Sequence, residues 1–77
     1  MPRYFFHVTD GYSAPDLVGT ELPDISAVQV EAIRASASIL RDEGDRFWDG
    51  IAWSMEVKDE MGRPLFTLRF SADEHGT

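Results

Sequence analysis

Cysteine is missing from all 77 residues, which removes disulfide bridges, thiolate zinc sites and any cysteine nucleophile. Histidine is nearly as scarce, with only His7 and His75, near opposite ends of the chain. Cations are few: seven Lys and Arg stand against fourteen Asp and Glu, for a net charge of −7. Each phosphate contact needs a Lys or Arg, so this balance disfavours nucleic acid and anionic lipid as partners. The seven cations also spread from Arg3 to Arg69 without gathering into a basic stretch. No apolar run approaches the ~18 residues that a membrane span requires. The opening Met1-Pro2-Arg3-Tyr4-Phe5-Phe6-His7 lacks a signal peptide's long apolar stretch and small-residue cleavage site, so a cytoplasmic location is expected. The six glycines make neither G-x-G-x-x-G nor a P-loop, and no serine sits in a G-x-S-x-G elbow.

What is present is enough apolar material for one small domain. Apolar residues make up 43% of the chain, with five Phe, two Tyr and two Trp among them, too many for a chain that stays disordered. A domain this short buries only about 60% of the surface its unfolded chain exposes. With no disulfide and no evident structural metal, self-association is the reinforcement left open.

Residues Arg3 to Thr9 alternate as a strand, with Tyr4, Phe6 and Val8 on one side and Phe5, His7 and Thr9 on the other. Asp10-Gly11 is a turn signal. Asp16 to Leu22 has room for a short strand around Leu17-Val18, interrupted by Gly19. Leu22-Pro23-Asp24 reads as a helix entrance, with Asp24 as N-cap and Leu22 packing back on Val28. At ~100° per residue, Ile25, Val28, Ala32, Ala35, Ile39 and Leu40 share a face, with Ile33 at its margin. The helix is expected over residues 25–42, ending at Gly44 as the C′ residue. Trp53, Met55 and Val57 then alternate with Ser54, Glu56 and Lys58. A turn at Glu60-Met61-Gly62-Arg63 leads to Leu65 to Phe70, closing an antiparallel hairpin. Residues 71–77 read as a frayed tail, and residues 1–70 as the domain.

The fold class is therefore α+β. A small antiparallel sheet of three or four strands, in the order β-β-α-β-β, carries one amphipathic helix on one face. Tyr4, Phe6, Val8, Trp53, Met55, Val57, Phe66, Leu68 and Phe70 form the sheet side of the core. The opposite face shows Phe5, His7, Ser54, Glu56, Lys58, Leu65, Thr67 and Arg69, mostly polar as for a sheet with one wet side.

These segments resemble a family of small proteobacterial proteins of unknown function. The opening Met1 to His7, then Asp10-Gly11, then Gly19-Thr20-Glu21-Leu22-Pro23-Asp24 before an Ala-rich helix carry the likeness. Val57 to Arg63 followed by Leu65 to Phe70 resembles the family's closing hairpin. The likeness spans Met1 to Phe70; Phe47 to Ile51 lies outside the shared pattern. It implies no catalytic residue. A weaker likeness in layout links the chain to antitoxin-type domains, in which strands precede a helix, but layout alone does not establish function.

Candidate chemistry is sparse. His7 on the outer sheet face has Glu56 and Arg69 as prospective cross-strand neighbours, and Glu56 would orient it as a carboxylate orients a general base. No nucleophile or oxyanion-hole signature accompanies this trio, and one imidazole with scattered carboxylates specifies no metal geometry. Asp42-Glu43-Gly44-Asp45 with Asp49-Gly50 fails the calcium-loop spacing, so no metal and no cofactor is assigned. Phe47 and Trp48 either cap the open end of the core or belong to an interface; the cap is favoured. Phe5, Val30 and Trp48 are the large apolar residues left over once the core is filled. The leading expectation is an acidic, non-enzymatic interaction or regulatory module, a homodimer or the partner of another protein. A small ligand binder or enzyme using His7, and an antitoxin-like regulator, are the alternatives.

Overall fold

The computed structural model describes residues 1–11, 13–48 and 52–76. In chain order the elements are β1 (Arg3–Thr9), β2 (Ser13–Ala14), β3 (Thr20–Glu21), α1 (Ile25–Asp42), α2 (Gly44–Phe47), β4 (Trp53–Lys58) and β5 (Pro64–Phe70). All strand pairs are antiparallel, and the sheet runs β2-β1-β4-β5, with β3 also paired to β1. The class is α+β, with one long helix on an open sheet of five strands, so the order gains one strand before the helix.

β1 pairs with β4 from Phe5↔Lys58 to Thr9↔Ser54. Its other edge is shared: Arg3 and Tyr4 face Glu21 and Thr20 of β3, and Val8 and Thr9 face Ala14 and Ser13 of β2. The expected strand at Leu17-Val18 does not form; both side chains are exposed, at 85% and 75%. The reason is local. The Asp16 carboxylate accepts the amides of Val18 and Gly19, both at 3.0 Å, which withdraws them from any ladder. Gly19 then turns the chain at φ +77 into β3.

α1 begins as its sequence implies. The Asp24 carboxylate accepts the Ala27 amide at 2.9 Å, the N-cap bond. Val28, Ala32 and Ser36 are buried at i, i+4 and i+8 against Trp53, Met55 and Val57 of β4. Tyr4, Phe6 and Val8 of β1, Phe66, Leu68 and Phe70 of β5, and Leu22, Ala35, Ile39, Leu40 and Phe47 pack around them. All nine sheet residues expected in the core belong to this cluster.

Three expectations about the helix are corrected. Ile25 is 47% exposed rather than in the core. An 18-residue helix is about 27 Å long and a six-residue strand about 20 Å, which leaves the first turn short of sheet to pack on. Ser36 is fully buried where no serine was expected, and its hydroxyl donates to Met55 Sδ at 3.6 Å. Gly44 is not a left-handed stop. Glu43 caps α1, donating its amide to the Ile39 carbonyl at 3.0 Å, and Gly44 opens α2.

The β4–β5 turn is held by Asp59. Its Oδ1 accepts the amides of Met61 and Arg63 at 2.9 and 3.0 Å, and its Oδ2 accepts Arg63 Nε at 2.9 Å. The Arg63 amide chiefly, helped by its guanidinium and the Met61 amide, outweighs partial desolvation and holds the Asp59 carboxyl below its ordinary value. Residues 71–76 carry no regular structure and are exposed.

Candidate functional site

The register makes His7 and Glu56 direct cross-strand neighbours, with Thr67 next to Glu56 on β5. Arg69 faces Ser54 instead, one strand further from His7. The side chains do not assemble as a catalytic trio would require. His7 Nδ1 accepts the Asp16 amide at 3.0 Å, so this lone pair belongs to the loop before β3. Glu56 Oε1 lies 3.5 Å from Lys58 Nζ, a half-exposed ion pair of little energetic weight. Among the described residues, no group of three His, Asp or Glu side chains is placed to hold a metal ion. Asp49 and Gly50 of the acidic stretch lie outside the described residues.

The residue that organises this face is Asp16. Its Oδ2 accepts the Phe6 amide at 3.1 Å, midway between the β3 and β2 pairings on the same edge of β1. Its Oδ1 takes Val18 and Gly19, and its own amide goes to His7. A carboxylate thus fills the gap in β1's outer ladder that two short strands leave. Burial works to raise the Asp16 pKa. The amides of Gly19, Phe6 and Val18, with the charge of a protonated His7, outweigh it and bring the carboxyl below its ordinary 3.8. The two His7 contacts belong to different protonation states: a neutral ring accepts the amide at Nδ1, whereas a protonated ring attracts the carboxylate by charge. Nothing in the local sequence marks Asp16 as the acceptor for an amide ten residues away.

Arg3 ties the same loop from the N-terminal side. Its guanidinium donates to the Val18 carbonyl at 2.9 Å and pairs with Glu21 at 2.8 Å, while its amide donates to Glu60 at 3.1 Å. Gly19 lies so close that a Cβ there would stand 2.7 Å from Arg3 Cγ and 2.8 Å from Phe5 Cε1. Phe5 is therefore half-buried under its own loop, and the face around it is not the bare surface expected from alternation.

Val30 and Trp48, the other leftover apolar residues, are exposed. Val30 lines a shallow depression on α1 with Ser26, Gln29, Ile33 and Arg34. Phe47 packs on the core as the expected cap, whereas the neighbouring Trp48 stays 60% exposed. The Trp53 indole Nε1 is buried without a hydrogen-bond partner among the described residues.

Together these features define an α+β domain whose outer sheet face is tied down by carboxylate–amide and arginine–carbonyl bonds. The chain belongs to the DUF6894 family, a domain of unknown function whose sequence model matches residues 3–71. No curated protein and no solved structure matches the chain. Among the described residues no helix is long and apolar enough to cross a membrane.

Proposed function

We propose that the chain is a non-enzymatic interaction module that pairs with a second copy of itself along the outer edge of β5. One observation carries the reading: β5 ends the sheet and, among the described residues, pairs only with β4. It is seven residues long, with Pro64 at its start and Arg69 its one charge. Such a strand presents a row of unpaired amides and carbonyls, and its middle lacks the lysines and prolines that blunt an edge. The opposite side of the sheet is closed differently, by two short strands and the Asp16 carboxylate.

Self-complementarity supports a second copy as the occupant. An antiparallel pairing centred on Thr67 engages all seven residues. It sets Thr67 against its symmetry mate, Phe66 against Leu68 and Leu65 against Arg69, so no like charges meet. The protein exposes 5527 Å², about 800 Å² more than a compact monomer of its 8.7 kDa mass, and the exposed tail contributes to that excess. A standard interface takes about 800 Å² from each partner. His7 adds to the non-enzymatic reading, since its Nδ1 already serves the Asp16 loop.

Sedimentation at about 100 μM, well above a micromolar dissociation constant, is expected to return twice 8.7 kDa. Thr67→Lys places two ammonium groups face to face across the axis and is expected to sediment as a monomer with unchanged circular dichroism. A wild-type monomer at that concentration, or a T67K dimer, removes the reading.

A further inference from the structure

We propose that the corner formed by Phe47, Trp48 and Phe70 binds an organic cation, an alkylammonium or guanidinium group. The cavity there has a volume of about 370 Å³, at the lower end of the roughly 300–1,000 Å³ that small-molecule sites occupy. Three separate stretches of chain build it: Phe47 with Trp48, Ala52, and the run from Phe70 to Glu74. α2 ends at Phe47 with Trp48 directly after, β5 ends at Phe70, and the tail brings Glu74 alongside.

The chemistry of the lining selects the ligand class. The Phe47 and Trp48 rings stand 5.8 Å apart at 84°, two walls of a corner. Phe70, itself edge-on to Trp53 at 5.3 Å, lines the cavity with them. Aromatic faces carry negative potential and attract a cation held within about 6 Å of the ring centroid, tryptophan most strongly. Glu74 is the only charged lining residue among those described, and it makes no ion pair or hydrogen bond there. The remaining lining residues are two alanines and a serine. Among the described residues, aromatic rings and a carboxylate therefore meet at one place with no cation lining it, on a chain of net charge −7. Weakly hydrated cations suit such a corner. Quaternary ammonium and guanidinium groups give up water for ring faces more readily than a lysine ammonium or sodium does.

This inference does not rest on β5 pairing and is tested on other residues. Choline and N-acetylarginine amide are titrated into the full chain while the indole N–H resonances of Trp48 and Trp53 are followed by NMR. The buried Trp53 serves as internal reference. Trp48 is expected to shift saturably with a dissociation constant of about 1 mM, a single-site affinity without further anchors. The uncharged choline isostere 3,3-dimethylbutan-1-ol is expected to bind at least about fivefold more weakly, the loss of a cation–π term. Glu74→Gln, in the exposed tail, weakens the Trp48 response about two- to fivefold. A tighter fit for choline marks a free quaternary ammonium compound as the ligand; a tighter fit for the arginine amide marks a side chain of a basic partner. No saturable shift up to about 50 mM of either cation, an equal response to the alcohol, or unchanged binding in E74Q overturns the proposal.

Discussion

Asp16 accepts three backbone amides on two oxygens and engages His7 through its own amide, so one side chain closes both a loop and a strand edge. Because its carboxyl is depressed below 3.8 in the folded chain, its stabilisation is complete above 3.8 and is lost as pH falls through the lower native value. Asp16→Asn supplies only one acceptor oxygen and no charge. Urea melts are expected to show it less stable by about 1–3 kcal/mol at neutral pH. The gap to wild type should close as pH drops below about 4; a constant gap would mean that charge is not what Asp16 contributes. Gly19 is constrained twice, by its φ of +77 and by the nearness of Arg3 and Phe5. Gly19→Ala is expected to cost about 1–3 kcal/mol by the same melts, from left-handed backbone strain plus displacement of those side chains.

At the scale of elements, α1 is held by its cap and by a narrow seam. Asp24→Ala removes the bond to the Ala27 amide and is expected to cost about 1 kcal/mol, read from thermal melts followed at the helical band. The seam runs through Val28, Ala32 and Ser36, small residues that let the helix approach Trp53, Met55 and Val57 closely. Close approach explains the buried serine: its hydroxyl finds the Met55 sulfur, a weak acceptor that still spares it from being left unpaired. The ends of α1 are less constrained than its middle, which is why Ile25 stands half in water and why Glu43, not Gly44, ends the helix.

Across the whole molecule, one helix about 10 Å wide lies on strands spaced about 4.8 Å apart. It buries the inward residues of β4 completely and those of β1 and β5 only in part. The β1 side is closed by β2, β3 and Asp16, whereas β5 has no such cover among the described residues. Mass action extends the pairing prediction to stability: if folding and association are linked, the wild-type melting temperature rises with protein concentration. That of T67K should stay flat. Two wild-type melts at concentrations about tenfold apart make the check.

Periodicity is a local property, so the strand alternation, the helical stripe, the Asp24 cap and the nine sheet residues of the core could be read from order alone. The additional strand pairing at Arg3 and Tyr4, the cover over Phe5, the Asp16 bonds and the placing of Trp48 and Glu74 around one cavity were decided only when the chain folded. Each brings together residues about ten to thirty positions apart, and juxtapositions of that kind leave no repeating signature along the chain. Burial patterns recur every two or every 3.6 residues because each element turns one face to the core. A carboxylate standing in for a strand, or an aromatic corner facing a tail, arises once and depends on where distant segments come to rest.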